Sequence, residues 1–227
     1  MNSHIRRAAL AVTLVFAGSA LAAELETAEQ KLGYIIGMDV GNSLKQQGTD
    51  VDLDALFQAI RDVYSGQGTA MTPEEANAVR EAYIAERQAA AAAEREQLSE
   101  KNRVAGEQFL MQKRTEPGVI VTDTGLAYKI LEMGDGETPA ATDTVRVHYR
   151  GTLIDGTEFD SSYSRGEPIT FALNQVIPGW TEGVQLMPVG SKFMFWIPPQ
   201  LAYGPDGAGP IPPNSTLQFE VELLGIE

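Results

Sequence analysis

Between Pro73 and Pro117 the chain contains no proline and no turn cluster. Thr72, Pro73, Glu74 and Glu75 supply an N-cap, a proline at the first helical position and an acidic first turn, so a helix starts there. About 43 residues at 1.5 Å rise would extend roughly 65 Å. Apolar residues are sparse in "REAYIAERQAAAAAEREQLSEKNRVAGEQFLMQKR", and its middle is alanine flanked by Glu and Arg. A helix polar nearly all round relies on intrinsic propensity and i,i+4 charge pairs, which predicts a solvated stalk between two bodies. The stalk divides the chain. Residues 1–22 are set apart as a signal peptide, 23–70 as a helical dimerisation segment, 71–116 as the connecting helix and 117–227 as a β-rich domain.

The segment before the stalk is helical. Thr27 followed by Gln30 has the form of a capping box, and Leu32, Ile35, Ile36, Val40 and Leu44 follow helical spacing. Gly33, Gly37 and Gly41 lie four apart on one side. Each costs an isolated helix about 1 kcal/mol relative to alanine, so close approach of another backbone is expected there. A second helix from about Asp52 carries Leu53, Leu56, Phe57, Ile60, Val63 and Tyr64, and "SGQG" ends it. Two such helices bury too little alone to be stable. The expected partner is the same segment of a second chain, making a homodimer.

Arg6 and Arg7 precede the apolar run Ala8 to Ala17, which gives way to Gly18-Ser19-Ala20-Leu21-Ala22. That is the pattern of a secretory signal peptide cut after Ala22 or Ala23, and the run is too short to span a bilayer. No membrane insertion is expected. There is no cysteine, which excludes disulfides, thiolate chemistry and a lipidated cysteine at the cleavage point. An exported, unlipidated chain points to the periplasm; secretion or outer-membrane association remains open. The net charge of −14 becomes about −16 once the two arginines leave, and so acidic a chain does not bind nucleic acid.

After residue 118 the pattern changes to period two. "GLAYKIL", "TVRVHYRGTL", "EFDSS", "PITFAL", "SKFMFWIPP" and "STLQFEVELL" each alternate as strands, and Asp155-Gly156 forms a hairpin turn. One short helix, Gly179 to about Leu186, follows Pro178. The fold class is α+β: an all-α N-terminal segment and stalk, then an antiparallel sheet wrapped around one short helix.

No reacting group stands out. His4 lies in the signal peptide, and His148 alternates with Arg146 and Arg150 as a structural residue. No catalytic triad or metal-ligand spacing is present, and no cofactor is called for; "GDGE" at 134–137 is a turn. Aromatic and aliphatic residues recur beside turn chemistry instead: Tyr149, Phe159, Val176, Ile177, Trp180, Tyr203, Ile211 and Phe219. Each alone is ordinary core. Together, with Asp160 beside Phe159 and the stiff Gly/Pro loop between Tyr203 and Ile211, they suggest a pocket.

"VHYRGTLIDGTEFDSSYSRGEPITF", "VIPGWTEGVQLMPVGSK", "LAYG" and "IPPNSTLQFEVELL" resemble the FKBP-type peptidyl-prolyl cis-trans isomerases, the macrolide-binding immunophilins, over roughly residues 118 to 227. The helical N-terminus resembles the dimeric two-domain members of the macrophage infectivity potentiator type. The resemblance implies an apolar pocket in which a substrate proline sits over Trp180. Tyr149, Phe159, Val176, Ile177 and Phe219 would be walls, Asp160 and Tyr203 the polar rim, and Ile211 the closure on the loop side. Asp160, Tyr203, Tyr149 and Trp180 would carry catalysis. The Ile177 N–H would receive a substrate or macrolide carbonyl, and Arg165 would orient Asp160 or Tyr149. Ile169 stands where many members have an aromatic residue. The implied partners are X-Pro segments of unfolded or exported proteins, and macrolide inhibitors. A holdase chaperone, and a prolyl-peptide binding module with little turnover, are the alternatives.

Overall fold

The computed structural model describes residues 25–227; the signal-peptide stretch and its cleavage point near Ala22 lie outside the described residues. The chain forms two compact units, the first ending at Pro73 and the second running Glu74–Glu227.

In the first unit, α1 (Ala28–Gln46) begins with the expected capping box. Thr27 Oγ1 accepts the Gln30 N–H at 3.2 Å while Gln30 Oε1 accepts the Thr27 N–H at 3.1 Å. Helix α2 (Leu53–Ser65) is capped by Asp52, whose Oδ1 accepts the Ala55 N–H at 2.9 Å, and it ends on the left-handed Gly66. Neither helix buries a residue. Ile35 is 54 % exposed and Phe57 48 %. A Cβ on Gly33, Gly37 or Gly41 would meet nothing within 4 Å, so within one chain the glycine stripe borders open space.

The second unit holds most of α3 (Pro73–Lys113) and a seven-stranded antiparallel sheet. Its strands are β1 (Val119–Val121), β2 (Ala127–Glu132), β3 (Thr144–Leu153), β4 (Glu158–Ser161), β5 (Ile169–Ala172), β6 (Lys192–Ile197) and β7 (Leu217–Ile226). They lie in the order β1-β2-β6-β7-β3-β4, with β5 also paired to β3. A one-turn helix α4 (Ser162–Arg165) follows β4, and α5 (Pro178–Val184) follows β5. Alternation drives the arrangement. On β7 the residues Leu217, Phe219, Val221 and Leu223 are all buried, while Gln218, Glu220 and Glu222 between them are not. They share one core with Val145 and Val147 of β3, Phe193 and Phe195 of β6, and Trp180 and Val184 of α5. Each such side chain, fully buried, contributes about 1.5–3 kcal/mol. Strand β1 is too short to show alternation in the sequence, and α4 is a single turn set by the Ser161 hydroxyl accepting the Ser164 N–H.

The expectation of a stalk solvated on all sides fails for the later part of α3. Gly106 and Leu110 are buried, and Leu110 packs with Ala127 and Trp196. A Cβ on Gly106 would collide with the Thr216 hydroxyl, so glycine is what allows the helix to seat. The alanine block at 89–93 dominates the average of the long helix and hides the few apolar residues concentrated near its end.

Candidate active site

Pro178 opens α5 at its first position and puts Trp180 in the first turn, where it is buried. The indole is held by rings and not by polar contacts. Tyr149 and Phe219 meet it edge to face, at 5.2 Å and 88° and at 5.1 Å and 86°, and Phe171 lies at 5.1 Å. Such pairs are worth about 0.5–1.5 kcal/mol each beyond the area they bury. The indole N–H has no hydrogen-bond partner among the described residues. Phe159 continues the aromatic wall, edge to face with Phe219 at 5.5 Å. Gly151 on β3 makes this possible, because a Cβ there would come within 2.7 Å of both the Phe159 and Phe219 rings.

The cavity above the indole measures about 580 Å³. Val176 and Ile177 border it from the segment entering α5, and Ile169 and Phe171 from β5. The Ile177 N–H donates to no protein group among the described residues. On the far side, Tyr203, Ala208, Pro210 and Ile211 come from the Gly/Pro loop. Ala208 and Ile211 exchange main-chain hydrogen bonds at 3.0 and 2.9 Å, which folds the loop tip back and buries Ile211. Tyr203 remains 40 % exposed.

The polar rim is a closed triangle. The Tyr149 hydroxyl donates to Asp160, Arg165 donates to the other carboxylate oxygen, and Arg165 Nη2 also donates to the Tyr149 hydroxyl at 2.9 Å. Burial pushes the Asp160 carboxyl up, but the hydrogen bonds from Tyr149 and Arg165 outweigh it and hold the group below the usual carboxylate range. Burial, together with the neighbouring carboxylate, pushes the Tyr149 phenol up, so it remains a donor. Arg165 is likewise pushed up by its two acceptors.

The eleven pocket residues expected from the sequence fall at or beside one cavity. Tyr149, Phe159, Asp160, Ile169, Val176, Ile177, Trp180, Tyr203, Ile211 and Phe219 all line one cavity. Arg165 stands behind it, bonded to both Asp160 and Tyr149. Gly33 and Gly37 belong to a separate shallow groove in the first unit, with Tyr34 and Phe57. Sequence reasoning missed Phe171, Gln175, Ala208 and Pro210. Phe171 had a signal: it stands two residues from Ile169, on the same face of β5. Ser162 had none. It is fully buried, and its hydroxyl accepts the Tyr149 N–H at 2.7 Å, which fixes the strand from which that phenol projects. His148 contacts the Ser162 hydroxyl at 2.9 Å and stacks on Tyr163 at 4.7 Å. No cluster of three or more His, Cys, Asp or Glu side chains able to hold a metal occurs among the described residues.

Comparison with known proteins adds an independent line. Residues 135–224 match the family model described as FKBP-type peptidyl-prolyl cis-trans isomerase, and residues 29–130 match the domain amino terminal to FKBP-type peptidyl-prolyl isomerase. The chain is 48 % identical over 212 residues to the FKBP-type peptidyl-prolyl cis-trans isomerase FkpA of Aeromonas hydrophila, covering 90 % of this chain and 79 % of that protein. It is 43 % identical to the outer membrane protein MIP of Legionella longbeachae, covering 91 % and 89 %. The crystal structure of FkpA from Escherichia coli superposes with a TM-score of 0.77 at 41 % identity, over 90 % of this chain and 99 % of that one.

Proposed function

The chain belongs to the FKBP-type peptidyl-prolyl cis-trans isomerases, and on that premise we propose how its own residues turn an X-Pro amide. Rotation is opposed by ~18–20 kcal/mol of lost resonance and needs no nucleophile, proton transfer or metal. The proline ring rests on Trp180, with Tyr149, Phe159, Ile169, Val176, Ile177, Ile211 and Phe219 around it. The twisted amide carries less charge separation than the planar one, so an apolar enclosure favours it. The Ile177 N–H takes a substrate carbonyl, while Asp160 and Tyr203 at the rim hold the twisted conformer by polar contact. Arg165 is a positioning residue that fixes Asp160. Lowering the barrier by ~5–6 kcal/mol corresponds to a rate gain near 10⁴.

The observation that carries this reading is the Trp180 indole, boxed by three rings beneath a carboxylate already held by two donors. A cis/trans assay on a prolyl peptide, with and without a macrolide inhibitor, tests it. Acceleration abolished by the macrolide is expected, and no acceleration would overturn it.

The same reading extends to place and assembly. The leader pattern supports export to the periplasm, where the substrates would be X-Pro segments of other exported chains. No helix among the described residues is long and apolar enough to cross a membrane. A first unit with no buried residue in either helix supports a homodimer through residues 24–66. Its exposed apolar faces also favour a second activity, holding non-native chains. Suppression of aggregation of a proline-free client would reveal that activity separately from isomerisation.

A further inference from the structure

The loop that walls the pocket is tied at its neck to α3. Asn214 closes the neck, its N–H donating to Gly204 O at 2.9 Å. It is the one non-glycine residue with positive φ among the described residues, at 51°, a conformation that asparagine tolerates better than most. So turned, its Nδ2 donates to Ser99 Oγ on α3 at 2.8 Å. Asn102 Nδ2 donates to Pro213 O at 2.9 Å, Arg95 pairs with Asp206 at 2.8 Å, and Gly106 seats against Thr216. Residues 95, 99, 102 and 106 recur at helical spacing and form one stripe. Among the described residues, every side-chain hydrogen bond that leaves the 204–214 loop for another element goes to this stripe. The tip of the same loop supplies Ala208, Pro210 and Ile211 to the pocket.

We propose that α3 is a positioning element for the isomerase site: Ser99 and Asn102, acting through Asn214 and Pro213, set where the loop wall stands and so how tightly the pocket holds its substrate. The inference rests on the pocket assignment made above. Arg95 and Asp206 are 55 % and 84 % exposed, so that pair contributes little. The part-buried asparagine bonds and the Gly106 contact carry the tie. A wall held in place before binding spares the substrate the cost of ordering it, and that saving appears in KM and not in kcat.

The test uses the full-length protein with Ser99→Ala, Asn102→Ala and Asn214→Gly, none of which lines the pocket. Glycine at 214 keeps the left-handed backbone and removes only the side chain. Each variant is expected to raise KM for a prolyl peptide about three- to tenfold at nearly constant kcat. The Ser99→Ala/Asn214→Gly double variant should be no worse than the weaker-binding single one, because both changes remove the same bond. Hydrogen exchange at the Ala208 and Ile211 amides should speed up in parallel. A contact that only adds stability would lower Tm and leave KM untouched; that result, or additive effects in the double variant, overturns the proposal. A wild-type protein without turnover would instead sink the pocket assignment beneath it.

Discussion

Trp180 and Tyr149 meet edge to face with ring centroids 5.2 Å apart, so the floor of the pocket and the phenol that holds the rim carboxylate form one packing unit. Removing the indole should therefore disturb both. Trp180→Ala is expected to cost about 3–5 kcal/mol of stability, as for other large buried rings, and to abolish most turnover. Urea unfolding and a prolyl-peptide assay on the same sample check the two effects together. A stable variant with full activity would show that the indole is only core.

Rim substitutions should separate activity from stability. The Asp160 side chain is 44 % exposed and Tyr203 is 40 % exposed, so neither supports the core. Asp160→Ala removes a charged hydrogen-bonding group and should lower kcat/KM about tenfold or more. Tyr203→Phe should lower it less, with an unchanged thermal transition. Wild-type turnover in both variants on several peptides would remove them from the site.

The pH response follows from the same triangle. The folded-state pKa of Asp160 lies below its unfolded value because Tyr149 and Arg165 outweigh the effect of burial. The carboxylate's contribution is then complete above the unfolded value, about 3.9, and is lost as pH falls through the folded one. Turnover should be flat through neutral pH and decline only in strong acid. Arg165→Gln removes one of the two donors, so the acid limb of kcat/KM should move to higher pH. Identical acid limbs in wild type and variant would show that Arg165 does not act on Asp160.

The parts of the fold that were legible in the sequence are those with a strict period. Strands β3 and β7 alternate cleanly, β6 does so only until Phe195, Trp196 and Ile197 are buried in succession, and Pro178 marks the start of the helix that carries Trp180. Aromatic and aliphatic residues beside turn chemistry, with Asp160, account for nine of the ten candidates that share one cavity, and the family resemblance supplied Ile169. What the sequence hid depends on contacts between distant segments. Nothing local announces that Ser162 will clamp Tyr149 from 13 positions away, or that Asn214 will take a positive φ and reach Ser99 across 115 positions. The seating of α3 was hidden differently. A glycine and a leucine four positions apart decide it, and they vanish in the average of a 41-residue helix.

The glycine stripe on α1 offers a sharp test of assembly. In a single chain a side chain at Gly37 meets nothing within 4 Å, so Gly37→Leu creates no clash and should gain about 1 kcal/mol of helix propensity. An isolated chain would therefore be unharmed or improved by the change. If a second copy packs its backbone against the stripe, the same leucine has no room, and the dimer should weaken about tenfold or more in dissociation constant. Turnover on short peptides should stay at the wild-type level, because every proposed pocket residue lies in the second unit. Light scattering over a dilution series of the mature wild-type and variant proteins distinguishes the cases. A wild type that is monomeric at micromolar concentration removes the dimer altogether, and a variant that dimerises as tightly as wild type removes close helix approach as the reason for the three glycines.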